Sequence, residues 1–436
     1  MARLVVGNWS FEPGLASLTP EARRHIGCQG QRMLWNTRPG DVAVLPMEPR
    51  PEFVAYVTRM LGFDRDALEV VVPPSAGLAD VLVRDRFEDP AFLARLRRLV
   101  AERGIDEVVP FAFDDTVNRL VRRLGLTKGT PGFGFLEQGG SELLNSKVVF
   151  RALAAGTGVP VPDGIVAEAP EDVVEFAWSR IAAGASVMVK QDVHVAGLGN
   201  EILRRSTDDE PRGALHAHTL ADRAELAEHV ARRWSWYTGG LRRRVVVEHY
   251  VPDSVPVWAE VSVTDDAVRV VGTGEMRMKP VINGVVIPAP ASTTGDPDFL
   301  AGSTRLGEAM RAMGYRGLTN IDAMVTPGGA VLFNEINARL GGSSHLYAIG
   351  ERVIGGDYLG DRCLIERRDC AFAGFTEAVE LLADRGLAYD PRTRSGIVVT
   401  IYGTDGAGRG GECCIVGEDR DAAEALDRAL VAAFPG

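Results

Sequence analysis

The stretch FNEINARLGG, Phe333 to Gly342, carries the residue types and spacing that most directly suggest chemistry. Read as a strand, it places Glu335, Asn337 and Arg339 on one face, because side chains alternate with period two. Two oxygen ligands and a fixed cation line up, and a Gly341-Gly342 turn follows. That order suits a magnesium nucleotide: hard oxygen ligands hold the metal, and a guanidinium stands beyond it where charge develops. The run LTNIDAMV, Leu318 to Val325, holds one acid, Asp322, and Pro327 to Ala330 is turn chemistry. A hairpin with that four-residue loop sets Asp322 opposite Glu335, with Cβ atoms about 4.5–5.5 Å apart. Two carboxylates that close repel, and a divalent cation between them removes the penalty. The alternative is a solvated hairpin with scattered charge.

Of 48 basic residues only four are Lys: Lys128, Lys147, Lys190 and Lys279. Lysine is a compact point charge suited to phosphate oxygens, where arginine is a planar fork. An apolar strand from Ser186 delivers Lys190, and the loop HVAGLGN, His194 to Asn200, follows with Gly197 and Gly199. Such glycines let backbone amides approach phosphate oxygens; a mobile surface loop is the alternative. The G-x-x-x-x-G-K-[ST] loop is absent. Lys147 falls on a helix expected from near Ser141 to Gly156. In VVVEHYV, the backbone from Glu248 to Val251 offers a free peptide edge able to pair with adenine. Arg277 and Lys279 stand at i and i+2, on one expected strand face, where two cations need an anion or solvent.

The elements that position these groups follow from periodicity. Over roughly the first 125 residues, apolar strands alternate with amphipathic helices, which predicts a parallel α/β sheet. Ligands on such sheets bind beyond the strand C-terminal ends, where Asn8, Ser75, Asp114 and Asp115 stand; caps and turns explain the same residues. A Gly-rich linker runs from Lys128 to Gly140. Helices are expected from Glu171 to about Ala183, Thr219 to about Tyr237 and Phe299 to Met313. His345 and Tyr347 follow the hairpin and start a further helix. From about Asp369 an α-β-β-α unit follows, expected to be a structural or interface appendage.

The chain has 436 residues, enough for two to four domains, with ordinary hydrophobic (46%) and charged (25%) content. The net charge of −11 argues against general nucleic-acid binding. The Arg pairs at 97–98, 122–123 and 232–233 and the Arg242 to Arg244 triple are expected on solvated faces. No apolar run near 18 residues and no signal-like start is present, so a soluble, cytoplasmic protein is expected. Five cysteines without metal spacing point to reduced thiols, Cys28 among them as a buried thiol.

In this order, NSKVVFRALAAGTGVPVP, VMVKQD with its glycine loop, VVVEHYV, the Asp322 strand and FNEINAR resemble the ATP-grasp superfamily of carboxylate–amine ligases. The whole chain, including its tail, is similar to peptide ligases of antibiotic biosynthesis within it. The resemblance implies a mixed α/β and α+β multidomain fold: a Rossmann-like pre-ATP-grasp domain over 1–125, an ATP-grasp domain over 126–368 with a mobile lid at about 158–250, and a small α+β domain over 369–436. It implies an ADP-forming ligase that joins the carboxylate of an unusual amino acid to the amine of a peptide through an acyl phosphate. ATP and Mg²⁺, or Mn²⁺ in its place, are the implied cofactors, and a homodimer is common. Lys147 and Lys190 would contact phosphates, and the loop with His194, Gly197 and Gly199 would close over the γ-phosphate. Glu248 and Val251 would bracket adenine. Asp322, Glu335 and Asn337 would hold the metal, and Arg339 would face the reacting carboxylate. Arg277 and Lys279 lie where the superfamily puts further catalytic cations. The first metal acid is Asp where Glu is also common. Glu260 is available as a ribose acid, but its spacing from Glu248 does not settle that role. An ATP-grasp kinase acting on a hydroxyl, and a non-catalytic ATP-binding module, remain as alternatives.

Overall fold

Short, apolar-rich runs in the first domain pair into a parallel sheet. The structure is a computed structural model that describes residues 1–8, 19–75, 77–194, 197–206, 211–240, 244–290, 296–405 and 408–435. Strands β1 (Arg3–Val6), β2 (Val42–Val44), β3 (Glu69–Val71) and β4 (Glu107–Pro110) lie in the order β3-β2-β1-β4, all parallel. The intervening helices include Pro51–Met60, Pro90–Arg103 and Asp115–Leu124. Gly104 ends the second of these in the left-handed region, at φ 61°, where only glycine is free of steric cost. Asp114 caps the third, accepting from the Val117 amide at 2.7 Å, and Asn8 donates to the Ala112 carbonyl at 2.8 Å. These strand-end residues are thus used as caps and ties. Ser75 and Asp115 likewise make only local bonds, to Gly77 and Arg119.

A five-stranded sheet follows, from β5 (Gly164–Ala167), β6 (Ser186–Gln191), β7 (Asn200–Arg204), β8 (His216–Thr219) and β9 (Val245–Tyr250), in the order β5-β9-β6-β7-β8. The helices Pro170–Ile181 and Arg223–Tyr237 cover it, packing Val173, Ile181 and Leu226 on Val187, Val189 and Val247. It occupies the range expected for the lid. Of the arginine triple, Arg242 and Arg243 lie outside the described residues, as do Trp9 and Ser10.

The third sheet is antiparallel throughout. It contains β10 (Val255–Val263), β11 (Val268–Met278), β12 (Ile282–Ile287), β13 (Gly317–Val325), β14 (Val331–Asn337), β15 (Cys363–Cys370), β16 (Gly396–Tyr402) and β17 (Gly411–Gly417), in the order β14-β13-β10-β11-β12-β15-β17-β16. The boundary expected at 368/369 therefore cuts β15, and the tail strands continue the sheet that carries the hairpin. The tail is no separate appendage: Trp35 of the first domain donates to the Thr400 carbonyl, and Tyr56 packs edge-on against Phe375. All five cysteines are free and buried.

Candidate active site

A cleft of about 220 Å³ lies between the lid sheet and the eight-stranded sheet. Strands β9 and β10 belong to different sheets, so the chain crosses the cleft wall between Val251 and Ser254. Asp253 takes φ 54° there, and both it and Ser254 line the cleft.

The β13–β14 hairpin forms the floor. Asp322 pairs with Glu335, as the spacing predicts, but by a different route. Val325 pairs with Val331, which leaves a five-residue loop, and an irregularity then leaves Asn334 unpaired before Glu335. The bulge restores the Asp322–Glu335 register. It also separates two residues that strict alternation puts on one face: Phe333 is buried, stacked on Phe299 at 6.0 Å, while Glu335 turns into the cleft.

The charges on the floor are interlocked. Lys147 Nζ lies 2.8 Å from Glu335 Oε2 and donates to the His194 carbonyl at 2.9 Å. Asn337 Nδ2 donates to Asp322 Oδ2 at 3.1 Å, and its Oδ1 accepts from Arg339 at 2.7 Å. The Arg339 guanidinium lies 5.5 Å over the Phe111 ring, beyond the end of β4. Burial pushes the Asp322 carboxyl well above the usual range, and the neighbouring Glu335 carboxylate adds to that push. Burial acts the same way on Glu335, but Lys147 outweighs it and holds the group down at about 2.

The donor set suits a divalent cation. Two half-buried carboxylates meet across a strand pair, with the Asp322 carboxyl pushed well above its usual range, and a cation in that place would remove the repulsion. Asn337 would join as a ligand once its amide oxygen turned from Arg339 toward the carboxylates.

Lys147 is not mid-helix as expected. The segment breaks into Gly140–Leu144 and Lys147–Thr157, with Ser146 as the N-cap of the second helix. Asp192, just after β6, accepts from Ser146 Oγ at 2.6 Å and the Val148 amide at 3.0 Å, fixing Lys147 at the helix start beside the lid. Lys190 Nζ lies 2.5 Å from Glu248, which Arg151 also holds at 3.1 Å. The Glu248 carboxylate thus anchors Lys190, while Tyr250, the last residue of β9, and Val251 beyond it line the cleft. In the glycine loop, a Cβ at Gly197 would lie 2.7 Å from the Gly213 carbonyl and one at Gly199 2.5 Å from His194 Cβ. Both glycines are required by close packing, and both line the cleft. Val195 and Ala196 of this loop lie outside the described residues.

Three expected site residues are placed elsewhere. Arg277 points away from the cleft, into the Arg420–Ala433 helix, with Glu424 at 2.7 Å. Its neighbours Met276 and Met278 line the cleft, so alternation puts Arg277 on the opposite face. Strand β11 ends at Met278, after an irregularity at Arg277/Met278, and Lys279 is exposed in the turn beyond. Glu260 is 1% exposed, hydrogen-bonded to Asn320 and to Ser344, and does not line the cleft. His345 is buried near Glu366. Conversely, Arg32, Arg368, Arg212 and Met188 line the cleft with no local motif to mark them.

Comparison with known proteins agrees with this architecture. Residues 30–126 match the family described as Pre ATP-grasp domain, and residues 377–430 match the PGM1 C-terminal domain. An L-propargylglycine–L-glutamate ligase of Streptantibioticus cattleyicolor is 27% identical, covering 86% of this chain and 81% of its own. An L-amino acid ligase of Bacillus licheniformis superposes with TM-score 0.56 at 15% identity, over 100% of this chain and 98% of the other. A biotin carboxylase–β-γ-ATP complex of Campylobacter jejuni gives TM-score 0.61 at 13% identity, over 99% and 91%. No helix among the described residues is long and apolar enough to cross a membrane.

Proposed function

We propose that this chain, an ATP-grasp protein by its fold and its pre-ATP-grasp domain, is an ADP-forming ligase of the pheganomycin peptide-ligase type that joins an amino-acid carboxylate to an amine. The observation that carries this is the convergence of Asp322, Glu335, Asn337, Arg339, Lys147 and Lys190 on one cleft between two sheets. The kinship of the chain to a ligase joining propargylglycine to glutamate supports amino acids or peptides as substrates.

A carboxylate is a poor electrophile because its leaving group would be oxide. Attack of one carboxylate oxygen on the γ-phosphorus of ATP releases ADP and leaves an acyl phosphate. The amine nitrogen then bonds to the acyl carbon, phosphate departs with the C–O electron pair, and the amine proton passes to solvent. Lys147 and Lys190 are placed to neutralise phosphate charge, and the loop bearing Gly197 and Gly199 offers backbone amides above it. Mg²⁺, which Asp322, Glu335 and Asn337 would hold and which Mn²⁺ would replace, supplies charge neutralisation across the phosphates. Arg339, fixed between Asn337 and Phe111, would meet the oxyanion of the second step. Tyr250 and Val251 would meet adenine, and Asp253 or Ser254 the ribose, in place of Glu260. Val251 to Ser254 is the hinge on which the lid would move. A homodimer is the assembly we expect from the superfamily.

The test is ADP release across a matrix of amino acids and peptides, with mass detection of product. Release that requires both an acid and an amine, with an amide formed, supports the ligase. Release with a hydroxyl substrate and no amine replaces it with a kinase. ATP binding without turnover across the matrix leaves a binding module.

A further inference from the structure

Past Arg339 the floor strand turns at Gly342, and two arginines from distant parts of the chain meet there. A Cβ built on Gly342 would lie 3.3 Å from Arg32 Nη1 and 3.3 Å from Arg368 Nη2. Arg32 comes from the Gly30–Asn36 turn of the first domain and Arg368 from β15. Both line the cleft. Each is gripped from behind: Arg32 Nη2 by Glu412 at 2.7 Å and Glu366 at 3.5 Å, Arg368 by Glu366 at 2.8 Å. Arg32 is 3% exposed, and its buried Nε has no hydrogen-bond partner among the described residues.

A buried guanidinium with an unmet donor is costly. Here the carboxylates behind offset the charge of both forks, while Arg32 Nη1 and Arg368 Nη2 stand beside Gly342 at the cleft wall. The absence of a side chain at Gly342 keeps the space between them open. Paired planar forks match a carboxylate, which accepts in bidentate fashion. Arg339 and Gly342 are three residues apart, so their Cα atoms lie within about 11 Å. That is the span of an amino acid or short peptide whose amine faces the acyl carbon.

We propose that Arg32 and Arg368, flanking Gly342, form the subsite for a free carboxylate of the amine-donating substrate, so that the enzyme extends free amino acids or C-terminally free peptides. This rests on the ligase assignment, in which the reacting carboxylate occupies the Arg339 end.

The experiment offers the proteinogenic L-amino acids and, in parallel, their α-amides as amines, to wild type, Arg368→Gln and Gly342→Ala. The second variant fills the space between the forks without removing a charge, and so reads the subsite even where Arg368→Gln fails to fold. We expect the α-amide of the best amine to lose 10-fold to 100-fold in kcat/KM with wild type, and less than about 3-fold with either folded variant, with the KM for ATP unchanged; the larger loss corresponds to roughly 3 kcal/mol. Equal use of acid and amide by wild type overturns the subsite, as does a variant that weakens both alike. A matrix without any ADP release sinks the ligase assignment instead. The subsite is then decided by thermal-shift titration of the same panel on the full chain: stabilisation by free acids that the amides and the variants lose supports it, and no stabilisation overturns it.

Discussion

Glu335 and Asp322 sit on paired positions yet are pushed in opposite directions, Glu335 down by Lys147 and Asp322 up by its burial. The pair, with Asn337 and Arg339, was readable because period-two spacing on one strand is a local pattern. Replacing Glu335 with Gln keeps the shape but removes a metal ligand. We expect ADP release to fall at least 100-fold, with circular dichroism unchanged; a steady-state ADP assay beside a thermal melt checks both. Arg277 was misread because spacing alone gives no face. The cations share a face by number, but the methionines between and beside them take the cleft side. Arg277→Ala should leave the KM for ATP within about 2-fold and cost no more than about 1 kcal/mol, as expected of a partly exposed ion pair. A larger rise in that KM, from ADP release against ATP concentration, would return Arg277 to the cleft. Arg32 and Arg368 were illegible for a different reason: they meet only through the tertiary fold.

At the scale of elements, strands and helices of the first domain and the hairpin were legible, since their apolar periods and caps are local. The Asn334 bulge was not, because a strand's pairing partner decides where the extra residue goes. The helix break at Ser146 was also hidden: its cap comes partly from Asp192, just after β6 and far along the chain. The turn after the hairpin is as constrained as the hairpin itself. A Cβ at Gly341 would fall 1.5 Å from Asn320 Oδ1, and Asn320 with Ser344 satisfies buried Glu260, whose pKa burial raises to about 7. Gly341→Ala should destabilise the protein by about 1–3 kcal/mol through this displacement. Urea unfolding followed by tryptophan fluorescence measures it, and an unchanged midpoint would contradict the packing.

Across the whole molecule, the first domain, the hairpin, β15 and the lid sheet converge on one cleft, and the lid sheet also carries its own buried charge. In the lid, burial opposes the Glu201 carboxylate, but His229 at 2.5 Å and Arg233 at 2.8 Å outweigh it and hold its pKa at about 2. Burial lowers the His218 pKa as well. A depressed carboxylate adds stability above its unfolded value of 4.5 that is lost as pH falls toward about 2. Wild type should therefore exceed Glu201→Gln in stability at pH 7, with the gap narrowing between pH 4.5 and 2 in urea midpoints. A constant gap would mean that the carboxylate is not held charged. The tail was expected as an appendage because its sequence has no polar cluster; Glu366 and Glu412 act only through Arg32 and Arg368, which the fold brings to them.

Transfer of carboxylate oxygen is the most direct test of acyl-phosphate chemistry in this cleft. With an ¹⁸O-labelled acid, ATP and an amine that together release ADP, the phosphate should carry one ¹⁸O for each amide formed, read by mass spectrometry. Unlabelled phosphate, or ADP formed without the acid, would contradict it.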